Sequence, residues 1–168
     1  MVKYFVLVAY ISTVPLANWM IGNIGLCVKP DLCLVPVAPE IMAPSGVLAI
    51  GLAFVLRNFM QDLWGIRITL IAMAAGAALS GFVSPPALVV ASMSAFILAE
   101  IADMAVYTPL KQKGMTIALL ASCFAGAVID SAVFLWVAFG SLDYIVGEVI
   151  GKSYAAVFAA IIMKVIRK

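Results

Sequence analysis

Residues 4–28 contain no charged side chain, and neither do residues 68–99, a run broken by Ser84-Pro85-Pro86. About 20 apolar residues in a helix cross the hydrocarbon core of a bilayer. Inside lipid the backbone must satisfy its own hydrogen bonds, which a helix does. With 66% hydrophobic and 11% charged residues in 168, too little polar surface exists to clothe a soluble domain of this size. The chain is therefore expected to be an integral membrane protein. The first uncharged run differs from a secretory signal. It is long, holds Pro15, Asn18 and Trp19, and is followed by no clear small-x-small cleavage site. It is expected to be the first membrane helix.

Six spans fit with loops of ordinary length: 4–22, 45–64, 67–83, 87–108, 115–139 and 144–164. The expected fold is an all-α integral membrane bundle of six transmembrane helices, forming one transporter domain over residues 1–168. Pro44 and the Ser84-Pro85-Pro86 run punctuate the starts of the second and fourth spans. Gly114 breaks the chain before the fifth, and Gly140-Ser141 before the sixth. Lys3, Arg67, Lys111, Lys113, Lys164, Arg167 and Lys168 then share one side, whereas the opposite loops hold only Lys29 against Asp31, Glu40 and Asp143. Positive charge marks the cytoplasmic side. The expectation is a multi-pass protein of the cell (cytoplasmic) membrane with both termini cytoplasmic.

In the long outer loop 23–44, Cys27 and Cys33 flank a turn-like stretch pivoting on Pro30. Facing an oxidising exterior they could form a disulfide; two reduced interfacial thiols are the alternative. Cys123 reads as a small packing residue. The chain has no histidine, which weakens any histidine-based metal site or catalytic base.

Charges inside the spans need a reason, because an Asp at a helix centre costs roughly 2.5–3.5 kcal/mol on insertion. Arg57, Glu100, Asp130 and Lys152 fall near the centres of four different spans, with Asp103 one turn from Glu100 and Glu148 one turn from Lys152. They are expected to face one another around a polar cavity. A buried ion-pair network is the plain alternative, but buried pairs stabilise poorly compared with apolar packing. Holding a polar ligand or moving protons fits better. On the second span Arg57 and Gln61, like Asn58 and Asp62, are spaced i,i+4 on one stripe. Asn58 and Gln61 suit a planar, multiply hydrogen-bonded solute. Trp19 is either an interfacial belt residue or a stacking platform.

Ala91-Ser92-x-x-Ala95 leading to Glu100 is echoed thirty residues later by Ala121-Ser122-x-x-Ala125 leading to Asp130. Small faces of this kind let helices approach closely in lipid. Two acid-bearing helices that share the pattern while running in opposite directions are a weak mark of an inverted repeat, whose interface commonly holds substrate at the midplane.

Several ordered motifs carry a resemblance. Arg57-Asn58 with Gln61 and Gly65, Ala91-Ser92-Met93-Ser94-Ala95-Phe96 with Glu100 and Asp103, Val128-Ile129-Asp130-Ser131 with Phe134, Ala138-Phe139 and Gly151-Lys152 resemble the VUT family of queuosine-precursor transporters, from about Asn18 to Lys152. Many members carry an acid where this chain has Asn58, and some carry Gln where it has Glu100. The resemblance implies uptake of a 7-deazaguanine such as 7-cyano-7-deazaguanine (preQ0) or its aminomethyl relative (preQ1), for making queuosine in tRNA. Glu100 or Asp130 could accept the ring N–H and exocyclic amine together. Arg57, Asn58 or Gln61 could donate to the ring carbonyl. Ser92 and Lys152 join the expected substrate-binding set. Phe96, Phe134 or Trp136 could cover the ring, and Asp103 could meet an aminomethyl cation.

The expected function is thus an inner-membrane permease, not an enzyme, with no cofactor, no metal and no nucleic-acid partner. A homodimer is compatible with so small a permease. The absence of a Walker motif means that the chain cannot itself hydrolyse ATP. A second reading is the substrate-binding subunit of an energy-coupling-factor vitamin importer, docking through the small face Ala9, Thr13 and Ala17 of the first helix. A pore-forming or scaffolding membrane protein is a third.

Overall fold

A computed structural model describes residues 2–29, 32–82 and 86–166. Pro30, Asp31, Ser84, Pro85, Arg167 and Lys168, which entered the turn, loop and charge expectations, lie outside the described residues. The chain is nearly all helical: α1 (Val2–Asn23), α2 (Val47–Ser80), α3 (Pro86–Leu110), α4 (Met115–Phe139) and α5 (Ile145–Ile166). Four helical stretches are long and apolar enough to cross a membrane, namely Lys3–Asn23, Val47–Ser80, Leu88–Lys113 and Met115–Phe139.

Five helices are assigned among the described residues where six spans were expected, because 45–64 and 67–83 are joined in α2. Its 34 residues would reach about 51 Å if straight, well beyond a hydrocarbon core of about 30 Å. It is not straight. Gly65 has φ 76° and ψ 170°, a non-helical conformation inside the run that is essentially confined to glycine. Contacts on either side show the consequence. Ser80, at the far end of α2, hydrogen-bonds Asn18, while Gly46, at its start, packs against the Ala17 backbone. Trp64, at the bend, donates to the Lys3 carbonyl at 3.2 Å near the other end of α1. Both arms of α2 therefore run alongside α1, folded back on each other at Gly65.

The all-α expectation needs a second correction. Three strands, β1 (Leu26–Lys29), β2 (Leu32–Ala38) and β3 (Ile41–Pro44), form a small antiparallel sheet in the order β1-β2-β3. Leu26 pairs with Leu34 and Cys27 with Cys33, and Leu34 pairs with Pro44. Cys27 and Cys33 are joined as a disulfide across the first pair of strands. Leu32 and Leu34 are buried against Ile21, Ala91, Ala95, Phe134 and Leu135, so the sheet caps one end of the helices. Lys3, Trp64, Asp62 and Lys111 gather at the opposite end, where Lys3 lies 4.9 Å from the Trp64 ring and Lys111 pairs with Asp62.

Burial is inverted relative to a soluble protein. Arg57, Glu100, Asp103, Glu148 and Lys152 are buried, whereas Phe5, Ile71, Val90, Trp136 and Phe158 are exposed. An apolar exterior around a polar interior is the arrangement a lipid solvent demands. The small-residue faces bring α3 and α4 together. A Cβ on Gly126 would lie 3.3 Å from both the Ala99 carbonyl oxygen and the Asp103 Cβ. Glycine is what permits that approach.

Candidate functional site

The buried charges form two groups at different heights, not one ring. The first joins α2 to α3. Arg57 Nε lies 3.2 Å from Glu100 Oε2, its Nη2 lies 2.6 Å from Asp103 Oδ1, and its Nη1 donates to Gln61 Oε1 at 2.6 Å. Gln61 passes a bond on to Thr108 at 3.0 Å. Asn58, one residue from Arg57, donates to Ser122 Oγ on α4 at 3.2 Å. Tyr10 of α1 brings its hydroxyl beside Glu100, and the Tyr107 ring lies 5.6 Å from the Arg57 guanidinium, within cation–π range.

The second group joins α4 to α5. Lys152 Nζ is 2.6 Å from Asp130 Oδ2 and 2.9 Å from Ser131 Oγ, and it also pairs with Glu148 one turn earlier on its own helix. Close packing of α5 on α2 seats it. A Cβ on Gly51 would fall 2.5 Å from the Lys152 carbonyl oxygen, so only glycine allows the helices to meet there.

A cavity opens beside the second group. Its walls are Val14, Asn18, Ile21, Gly46, Val47, Ile50, Ser92, Phe96, Asp130, Phe134, Glu148 and Lys152. Five segments, counting the arm of α2 after Gly46, contribute to one chamber near the sheet end. About 350 Å³ there is free of atoms, but only about 20 Å³ admits the centre of a water molecule. The smaller figure governs what fits. It is room for about one water. Ser92 donates to Asn18 Oδ1 at 2.9 Å, and Asn18 in turn reaches Ser80. Asn18 and Ser92 thus add hydrogen-bonded polar groups to the lining that holds the Asp130–Lys152 pair.

Of the residues expected to bind substrate, Ser92, Phe96, Asp130 and Lys152 line this cavity. Arg57, Asn58, Gln61, Glu100 and Asp103 do not line it; they form the group toward the Lys111 end, buried except at half-buried Gln61. Asn18 and Glu148 complete the chamber. Glu148 carried a signal in its i,i+4 spacing to Lys152; Asn18 carried only its polarity inside an uncharged run. Trp136, a candidate ring cover, points outward at 64% exposure and is a lipid-facing side chain.

The two Ser-containing motifs meet the opposite acids. Ser92 of α3 shares the cavity with Asp130 of α4, while Ser122 of α4 lies beside Asp103 of α3. Antiparallel packing through Gly126 produces this exchange, and places Glu100 and Asp130 about one helical turn (~5 Å) apart along the bundle.

A family model described as a putative vitamin uptake transporter matches residues 66–167. It spans Ser92, Glu100, Asp103, Asp130 and Lys152, and begins after Arg57, Asn58 and Gln61. No curated protein and no solved structure matches the chain.

Proposed function

Because the chain belongs to the vitamin uptake transporter family, we propose that it is a permease importing a flat, nitrogenous solute, a 7-deazaguanine precursor of queuosine. The observation carrying this reading is the cavity lined together by Asp130, Lys152, Asn18, Ser92, Phe96 and Phe134. A deazaguanine presents a ring N–H beside an exocyclic amine, which one carboxylate accepts as two charge-assisted bonds. Asp130 is the carboxylate for this, with Lys152 or Asn18 donating to the ring carbonyl. Phe96 and Phe134 cover the faces of the ring.

Reading α2 as two crossings joined at Gly65, and α5 as another, gives six crossings in a single domain. The sheet then lies outside, with Lys3 and Lys111 on the cytoplasmic side. Its disulfide supports that orientation, since an oxidising exterior preserves such bonds. The energy-coupling-factor alternative loses its docking face, because Thr13 and Ala17 are buried within the chain.

The test is growth of cells unable to make queuosine de novo, expressing this chain and supplied with preQ0 or preQ1 at limiting concentration. Queuosine should return to tRNA with at least one precursor. No return with any of them would defeat the substrate assignment.

A further inference from the structure

The Arg57 group holds two acids against one base. Glu100 and Asp103 are both fully buried, and Arg57 is the cation that pairs with them. Both ionised would leave one net negative charge among fully buried groups, which is costly at this depth. Hydrogen bonding points the same way. Beyond the Arg57 contacts to Glu100 Oε2 and Asp103 Oδ1, Glu100 Oε1, Asp103 Oδ2 and Asn58 Oδ1 have no hydrogen-bond partner. These three acceptors have one unpaired donor nearby, the Tyr10 hydroxyl beside Glu100, and a buried acceptor left unmade costs about 1–3 kcal/mol. The cavity's walls include none of these residues. A proton needs no space, removes the excess charge and converts one acceptor into a donor.

Of the two acids, Asp103 holds the shorter contact with Arg57, 2.6 Å against 3.2 Å for Glu100. The tighter charge-assisted pair keeps its carboxylate ionised. Glu100 is faced by Tyr10 from α1, Arg57 from α2, Asp103 on its own helix and Asp130 from α4. Asp130 borders the cavity, within electrostatic reach of Glu100. The Asp130–Glu148–Lys152 group has the same two-to-one ratio, but it opens on the cavity, where cargo or solvent can balance its charge.

We propose that Glu100 holds one exchangeable proton in the closed state, loaded from the cavity side and released toward the Lys111 end, so that each passage of solute carries one proton inward. The O–H bond of Glu100 breaks when water reaches it on the inner side. Its proton leaves to that water, the carboxylate stays with Arg57, and a proton from the outer side restores the acid. The coupling rests on the permease reading above; the proton itself does not.

Two measurements test it. Infrared difference spectra of the purified protein at neutral pH should show a protonated-carboxyl band that Glu100→Gln removes and Asp143→Asn, on the outer surface, leaves. Absence of the band, or its survival in Glu100→Gln, overturns the proposal whether or not the protein carries a deazaguanine. Proteoliposomes with the potential clamped then read coupling. An inward gradient of one pH unit should drive up to about tenfold accumulation of radiolabelled preQ0, lost in Glu100→Gln and in Asp103→Asn. Exchange of preQ0 that ignores the pH gradient, or that follows a sodium gradient instead, overturns the coupling and leaves the permease standing. No exchange of either preQ0 or preQ1 defeats the permease and the coupling together, and the carboxyl band still decides the proton.

Discussion

Lys152 is the cation holding two buried acids, Asp130 and Glu148, so its removal leaves charge without compensation. Lys152→Met should cost about 3–5 kcal/mol, read as a lower unfolding temperature of the detergent-solubilised protein. Adding Glu148→Gln should recover part of the loss, because one uncompensated charge is then gone. A single variant as stable as the parent would mean that the pair does not hold the site. Asp130→Asn keeps one acid for Lys152 and should fold, yet abolish the return of queuosine to tRNA, because an amide cannot accept both N–H groups of the ring edge. Transport at parental level by that variant would remove Asp130 from the binding role.

Gly65 decides the course of α2. Nothing lies within 4 Å of a Cβ placed there, so a substitution acts through the backbone alone. Gly65→Ala should cost about 1–3 kcal/mol, and Gly65→Asn should fare no better, since ψ 170° lies outside the left-handed helical region that Asn tolerates. Thermostability of the two variants checks this; an Asn variant equal to the parent would point to a different bend. Much at this scale was legible in the sequence. The expected span 115–139 coincides with α4, and 87–108 falls within α3, because apolar runs and glycine breaks act locally. The sheet was not legible. Its pairs, Leu26 with Leu34 and Leu34 with Pro44, join short segments rich in proline, and no periodicity within one segment announces its partner.

At the scale of the molecule, orientation is the open variable, and the disulfide reports on it. Intact cells treated with a membrane-impermeant thiol reagent should leave the chain unlabelled. After an impermeant reductant, the same reagent should add two labels, at Cys27 and Cys33, while buried Cys123 stays unmodified. Labels that appear only after permeabilisation would place the sheet inside and reverse the assignment. The charge distribution supports the sheet outside. Lys3 and Lys111 meet at one end of the bundle and the sheet closes the other, an arrangement consistent with the count of positive residues along the chain.

The amino-acid sequence alone determined the solvent this protein lives in, the approximate limits of its helices and the identity of its buried charges. Each of these follows from composition within a window of about 20 residues. Which charges meet was decided only by tertiary packing. The offset between α3 and α4, set where Gly126 lets them touch, sends Glu100 to Arg57 and leaves Asp130 to Lys152. A shift of about one turn between two antiparallel helices leaves no trace in either helix read separately, yet it divides one expected chamber into a small cavity and a separate ionic group.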